Sequence, residues 1–275
     1  MKKHVILITG ASSGIGKATA ELLSAQGHHV YGTTRKAADP SQIPASNGSG
    51  GFISMLTMDV TSDASVASAI ETILSKEGRI DVLICNAGTG IAGSIEDTTV
   101  DEAKSQFETN FFGALRVMRS LLPVMRAQGT GKIIAVSSVA GIISIPYQAH
   151  YSASKFAIEG LIEALRHEIA PFGIKACVVE PGDTKTGFTQ NRVLAQKARE
   201  QTAYSERFTR SLARMEHDEQ NGVPPLAVAK VIARMIKKRN PPIRVAVGFQ
   251  YKAILLLKRI MPSRLTEKIV GMLYN

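Results

Sequence analysis

Three glycines set close behind one short apolar run constrain this chain of 275 residues more than any other feature. Val5–Thr9 reads as a buried strand. Thr9-Gly10-Ala11-Ser12-Ser13-Gly14-Ile15-Gly16 follows it directly and runs into a helix predicted over Ile15–Gln26, which Gly27 ends. Glycine permits the tight turn and lets backbone approach a pyrophosphate, which then rests on the partial positive charge of the helix amino terminus. Gly10, Ser12, Ser13, Gly14, Ile15 and Gly16 are therefore the candidate phosphate cradle. The spacing is Gly-x3-Gly-x-Gly, not the general Gly-x-Gly-x-x-Gly fingerprint. A glycine-rich turn alone is read equally well as an ordinary tight turn; its place between a first strand and a first helix favours the cofactor.

Beyond the turn, β-branched runs alternate with amphipathic helical segments, the pattern of a parallel sheet covered on both faces. Strands are predicted at His29–Thr33, Phe52–Met58, Asp81–Cys85, Lys132–Ser137, Ile174–Val179 and Ile243–Val247. Helices are predicted at Ser65–Ser75, Tyr151–Ala170 and Pro225–Lys238, with one or two more over Val100–Ala127. The stretch 37–51, with two prolines and a second half rich in Gly and Asn, reads as a mobile surface loop. Phe188 to Gly222 is polar and highly charged and reads as a helical lid over a site. Two basic-apolar helices, Tyr251–Met261 and Ser263–Leu273, close the chain. The expectation is one α/β domain over residues 1–275. It has a Rossmann-type, doubly wound, mainly seven-stranded parallel sheet with helices on both faces, plus a helical lid (188–222) and a C-terminal helical extension (249–275).

Charge is unevenly placed. Residues 1–191 carry a net −1 and residues 192–275 a net +11. The basic third implies either an anionic partner or a solvated face. The apolar run after Met1-Lys2-Lys3-His4 stops at Thr9-Gly10, too early for a signal core, and no uncharged stretch is long enough to span a bilayer. Cys85 and Cys177 both sit in apolar runs and read as buried thiols of a reducing compartment. The histidines show no metal spacing. These features together predict a cytoplasmic protein without a metal and without a nucleic-acid partner.

The end of the second strand selects the cofactor. An NAD site usually carries a carboxylate there for the ribose hydroxyls. Here His29-Val30-Tyr31-Gly32-Thr33-Thr34 is followed by Arg35 and Lys36. An acid would repel a 2′-phosphate, whereas Arg35 can pair with one, so NADP(H) is expected. The plainer alternative is two solvated loop charges.

Tyr151-Ser152-Ala153-Ser154-Lys155 places a phenol and an ammonium on one helical face. Tyrosine ionises near pH ~10, too high for a base at neutral pH. A nearby ammonium, together with an oxidised nicotinamide ring, is expected to lower it. A bare Tyr-x3-Lys pair is usually a surface pairing, but Ser137-Ser138-Val139-Ala140-Gly141 lies thirteen residues earlier, behind the fifth strand. Ser138 can donate to a substrate oxygen there and steady a developing alkoxide.

With these residues in view, the sequence resembles the compact-subunit short-chain dehydrogenases/reductases. The motifs are Thr-Gly-x3-Gly-x-Gly at 9–16, Asp59, Asn86-Ala87-Gly88, Asn110, Ser138, Tyr151-x3-Lys155 and Pro181-Gly182-x3-Thr186, in family order over residues 5–187. The resemblance implies that Tyr151 exchanges a proton with a carbonyl or alcohol oxygen, while Lys155 lowers its pKa and bonds the nicotinamide ribose. It implies that Ser138 orients the carbonyl and Asn110 holds a water leading from Lys155 to solvent. Asp59 and Val60 would flank the adenine; Asn86, Ala87 and Gly88 would contact the adenosine ribose and pack under the turn. Pro181, Gly182, Thr184 and Thr186 would hold the carboxamide, with hydride leaving the 4-pro-S face. Cys85 stands where many members have a second Asn. A homodimer or homotetramer paired through the helices after the fourth and fifth strands is also implied.

The substrate side is less explicit. The closing segment from Ile243 onward resembles hydroxysteroid and retinol dehydrogenase-like members, so an apolar steroid-, retinoid- or lipid-like carbonyl or alcohol is expected. Ala253–Leu257 with Lys252, Lys258 and Arg259 either packs its Ile-Leu face back on the domain or lies on anionic lipid. His150 reads as an exposed helix-start residue or a pocket residue. A 3-oxoacyl reductase docking an acidic carrier is disfavoured by the extension beyond Gly222. A non-catalytic NADP(H) sensor is disfavoured because Tyr151, Ser138 and Lys155 are all present. A sugar-nucleotide epimerase is disfavoured by the glycine spacing.

Overall fold

The computed structural model describes residues 3–38, 42–45 and 48–274. Its elements run β1 (Val5–Ile8), α1 (Gly14–Ala25), β2 (His29–Thr34), β3 (Gln42–Pro44), β4 (Phe52–Thr57), α2 (Asp63–Glu77), β5 (Val82–Cys85) and β6 (Ile91–Ala92). Then come α3 (Val100–Phe107), a π-helical turn at Glu108–Phe112, α4 (Gly113–Gln128), β7 (Gly131–Val136), α5 (Ala149–Ile169) and β8 (Ile174–Glu180). The chain closes with β9 (Val193–Leu194), α6 (Ser205–Gln220), α7 (Pro225–Lys237), β10 (Arg244–Ala246), α8 (Phe249–Ile260) and α9 (Ser263–Tyr274).

The main sheet has the order β10-β8-β7-β5-β1-β2-β4-β3. Seven of its strands pair in parallel; β3 adds an antiparallel edge through Gln42↔Ser54 and Pro44↔Phe52. The stretch read as a wholly irregular loop thus contributes an eighth strand, while residues 39–41 and 46–47 of it lie outside the described residues. Strands alternate their side chains between two cores, as a pleat requires. Val5 and Leu7 face the layer with α2, α4 and α5, and Ile6 and Ile8 face the layer with α1 and α7. Chain order reverses at β1, which lies between β2 and β5. The carboxyl ends of β1 and β5, where an open sheet binds ligands, therefore meet at Thr9 and Asn86.

Two local features bear on the site. The stretch Val100–Ala127 is broken by a wide π turn centred on Asn110, the kind of one-turn bulge that re-aims a side chain. Gly113 follows it because a Cβ there would lie 2.6 Å from Val60 Cγ2. Lys132, at the start of β7, reaches across and donates to the carbonyls of Met235, Ile236 and Lys238, capping the orphan acceptors at the end of α7.

Of the two readings of the tail, packing of the Ile-Leu face back on the domain is not what the structure shows. On α8 the buried stripe is Tyr251, with Leu255 and Lys258 half-buried, whereas Ile254, Leu256, Leu257 and Ile260 are exposed. On α9 Leu265, Ile269, Met272 and Leu273 are exposed as well. The stretch 188–222 is less helical than expected: only its second half forms a long helix, α6, and its first half adds β9 to β6 in a separate two-stranded sheet.

Candidate active site

The glycine turn is held rigid from β5. Thr9 Oγ1 accepts from the N–H groups of Asn86 and Ala87, both at 2.9 Å. Asn86 Nδ2 returns the bond to the carbonyls of Thr9 at 3.0 Å and Gly10 at 2.9 Å. Gly10 has φ +67°, and a Cβ on it would lie 2.9 Å from Ala87 Cα. A Cβ on Gly16 would lie 2.2 Å from the Gly10 carbonyl oxygen. Ser13 starts α1 without a side-chain cap, which leaves first-turn N–H groups for an outside acceptor. Ser12 and Ser13 are exposed, while Ile15 packs against the core beneath. A cavity of about 490 Å³ opens there, lined by Gly14, Lys17, Thr186 and Pro224 among others. Close-packed glycines, uncapped amides and an adjoining cavity fit a pyrophosphate.

Asp59 Oδ1 accepts from Thr61 N–H at 2.9 Å and Thr61 Oγ1 at 2.8 Å; the backbone bond holds this carboxyl below its ordinary range, with Arg35 adding to the effect. Arg35 and Lys36 are exposed just past β2, and Val60 is buried against Gly113. A face containing Arg35, Asp59 and Val60 therefore lies on one side of the turn, at the ends of β2 and β4.

On the other side stand the residues of α5. Tyr151 sits in the first turn of α5 facing the Ser138 hydroxyl, whose oxygen accepts from Ala140 N–H at 3.1 Å. Burial outweighs the influence of that hydroxyl and pushes the phenol up to about 12. The lowering expected of Lys155 acting together with an oxidised nicotinamide concerns the site with its cofactor bound; in the structure Lys155 Nζ donates to the Val136 carbonyl at 3.0 Å and lies 5.7 Å from the Tyr151 ring centroid. Burial brings Lys155 down to about 8, with Glu159 the main influence opposing the shift. Cys85 is pushed up to about 12 by burial and stays a neutral thiol.

Asn110 Nδ2 donates to the Thr89 carbonyl at 3.0 Å and to Ser154 Oγ at 3.1 Å, and its Oδ1 accepts from Thr89 N–H at 2.9 Å. A Cβ on Gly88 would meet Asn110 Oδ1 at 3.3 Å and Lys155 Nζ at 3.8 Å, so these groups surround one point. Tyr151, Ser138, Lys155 and Asn110 are thus brought together from α5, the end of β7 and the π turn. Pro181 accepts from Val139 N–H at 2.9 Å, Thr184 Oγ1 donates to the Gly182 carbonyl at 2.9 Å, and Thr186 Oγ1 accepts from Phe188 N–H at 3.1 Å. This strip runs from Ser138 back to the cavity at α1.

Several neighbours of the site went unnoticed in the sequence. Phe188 lies 5.5 Å ring to ring from Tyr151 and packs over Gly90. Arg192 pairs with Glu219, and both act electrostatically on Tyr151. Tyr147 holds φ +60°, uncommon for a non-glycine, and stacks 5.6 Å from Phe208 of α6. Tyr251 of α8 packs on Gly182 and donates to Asp183 at 2.5 Å. None of these carries a spacing signal, because each reaches the site through tertiary packing. His150 is half-buried, with its Nε2 buried and unbonded among the described residues, rather than an exposed helix start.

A doubly wound sheet with a glycine cradle at its switch point and a Ser-Tyr-Lys cluster beside it defines a dinucleotide-dependent oxidoreductase. The sequence profile of the short chain dehydrogenases matches residues 4–197, and the chain belongs to that family. It is 48% identical over 248 residues to a 3-ketodihydrosphingosine reductase of Bacteroides thetaiotaomicron, covering 90% of this chain and 89% of that one. It is 34% identical over 272 residues to retinol dehydrogenase 8 of Bos taurus, covering 94% and 86% of the two chains. Among solved structures, a short-chain dehydrogenase from Streptomyces avermitilis superposes with a TM-score of 0.80 at 32% identity, covering 97% of this chain and 96% of that one. No described helix is long and apolar enough to cross a membrane.

Proposed function

We propose that this chain is an NADP(H)-dependent reductase of long-chain apolar ketones, with 3-ketodihydrosphingosine the first substrate to test. The observation that carries this reading is the 48% identity to a reductase of that ketone, maintained along 90% of the chain. Arg35, exposed beyond β2 where no acid stands, supports the phosphorylated dinucleotide. The cradle residues Gly10 to Gly16 would take its pyrophosphate. Asp59, Val60 and Asn86 to Gly88 would take the adenosine, and Pro181, Gly182, Thr184 and Thr186 the carboxamide.

Bound NADPH would supply the hydride. Tyr151, half-buried and protonated at neutral pH, would donate the proton to the carbonyl oxygen, and Ser138 would hold that oxygen in place. Lys155 and Asn110 would support the proton's replacement from solvent. In this reading residues 188–222 form a lid whose Phe188 and Arg192 cover Tyr151. The exposed Ile254, Leu256, Leu257 and Ile260 beside Lys252 suit a peripheral contact with anionic lipid, from which such a substrate would come. Exposed Phe112 and Phe172 near α4 and α5 suit pairing of two copies, and two buried free thiols suit the cytoplasm.

The test is consumption of NADPH, followed by absorbance, with 3-ketodihydrosphingosine, retinal, a ketosteroid and a 3-oxoacyl thioester offered in turn. Preferred turnover of the long-chain ketone is expected. Turnover of the thioester alone would overturn the substrate assignment.

A further inference from the structure

One turn of α5 beyond Lys155 stands Glu159, a carboxylate only 3% exposed. Buried carboxylates are costly unless charge and hydrogen bonds compensate them, so its presence calls for a reason. Its Oε2 accepts from Arg244 Nε at 2.9 Å, while Arg244 Nη2 donates to Glu163 at 2.8 Å. Arg244 Nε also lies 3.8 Å from Glu180, the last residue of β8. One guanidinium from β10 thus faces three carboxylates, two of them buried, and leaves the cluster net negative. The Ser137 hydroxyl faces Glu159 from the end of β7, next to Ser138. Lys155, 6% exposed, lies one turn back on the same buried face of α5, its ammonium bonded to the Val136 carbonyl, while the second carboxylate oxygen of Glu159, Oε1, is buried with no hydrogen bond among the described residues.

We propose that Glu159, steadied by Arg244, is a positioning residue that keeps Lys155 protonated inside the core. It acts through Lys155 and touches neither substrate nor the reacting atoms. The inference rests on the reading of Tyr151 and Lys155 as the proton-handling pair, but not on the substrate chosen. Burial alone drives the Lys155 ammonium down, and Glu159 is the largest influence opposing it. The other groups near this pair do not replace it. Cys85 is a neutral thiol, Glu163 is largely exposed, and Glu219 and Arg192 face Tyr151 with opposite signs. In the low-dielectric interior a charge one helical turn away shifts a titration by about a unit or more.

The sign follows directly. The ammonium is present below its titration midpoint and lost above it, so removing Glu159's charge moves the loss to lower pH. The experiment titrates Lys155 in the ligand-free full chain with ε-13C-labelled lysine, its resonance assigned by disappearance in Lys155→Met. The wild-type midpoint is expected near 8. Glu159→Gln and Glu159→Met should each move it acid by about one unit or more, and Glu159→Asp, which keeps the charge but draws it back by one methylene, should move it acid by a smaller, measurable part of that. The alkaline limb of kcat/KM should move by the same amount. A merely structural Glu159–Arg244 tie would lower the melting temperature and scale activity evenly across pH while leaving the midpoint in place. That result in whichever neutral variant folds overturns the proposal. Should neither neutral variant fold, Glu159→Asp gives the decision: a midpoint moved acid upholds the proposal, and an unmoved one overturns it.

Discussion

Lys155 lies against the face of the Tyr151 ring, 5.7 Å from its centroid, and spends its hydrogen bond on the Val136 carbonyl. The ammonium is therefore not hydrogen-bonded to the phenol, and Tyr151 rests as a protonated acid pushed up to about 12. A resting acid suits the reduction of a carbonyl, which needs a proton delivered.

Tyr151→Phe removes that proton while keeping the ring against Phe188. Turnover should fall by at least about 10³-fold, within the range expected when a general acid and its substrate contact are both lost. NADPH binding, read by fluorescence titration, should stay within about threefold of wild type. Substantial residual turnover would remove Tyr151 from the chemistry.

Arg35 is solvent-exposed and makes no hydrogen bond that competes for its guanidinium among the described residues, so it is free to take a 2′-phosphate. Arg35→Ala should weaken NADPH by about tenfold or more, consistent with one charge-assisted contact, and leave NADH nearly unchanged. Equal losses for both cofactors would reject the nucleotide assignment.

Gly16 and Gly160 make a matched pair. A Cβ on Gly16 would sit 2.2 Å from the Gly10 carbonyl and 2.6 Å from Asn86 Nδ2, while nothing lies within 4 Å of one on Gly160. Gly16→Ala should cost about 1–3 kcal/mol of stability through overpacking and weaken dinucleotide binding. Gly160→Ala, inside α5, should stabilise by about 0.4–1 kcal/mol. Denaturant melts read both, and equal midpoints would contradict the cradle geometry.

His28, 2% exposed, accepts from His4 N–H at 3.2 Å, and burial brings it down to about 4 from 6.5. The unfolded chain then binds the extra proton first. Stability from this group is complete above about pH 6.5 and is lost as pH falls toward about 4. Melting temperature should drop across that window, and His28→Asn should flatten the drop; an unchanged slope would clear His28 of the effect.

Truncation after Gly248 deletes both α8 and α9. It should release the protein from anionic vesicles in a sedimentation assay, with partitioning onto neutral vesicles weak throughout. Unchanged binding to anionic vesicles would place any lipid contact elsewhere. Leu256→Glu within the full chain offers a milder version that leaves Tyr251 on Gly182.

The alternation of apolar runs and helices announced a parallel doubly wound sheet, and seven of its eight strands were legible, because buried parallel strands are nearly continuous Val-Ile-Leu runs. The eighth, β3, was not: three residues including a proline carry no period, and only the neighbouring β4 makes them a strand. The π turn at Asn110 was equally invisible, since its sequence reads as ordinary helix. The tail's Ile-Leu face is read from the sequence either as packing on the domain or as lying on lipid, and in the structure burial falls instead to Tyr251, Leu255 and Lys258. Amphipathicity shows that a face exists, not what lies opposite it.

By itself the sequence determined the turn, the order of the strands' residues and the Tyr-x3-Lys spacing, since each is a local property of backbone sterics and helical geometry. Which way the Lys155 ammonium points, what burial does to the phenol, and that Glu159 and Arg244 meet beneath them were decided only in three dimensions. Those are sums over neighbours far apart in the chain, from β7, β8, β10 and α6, and no spacing along the sequence encodes them.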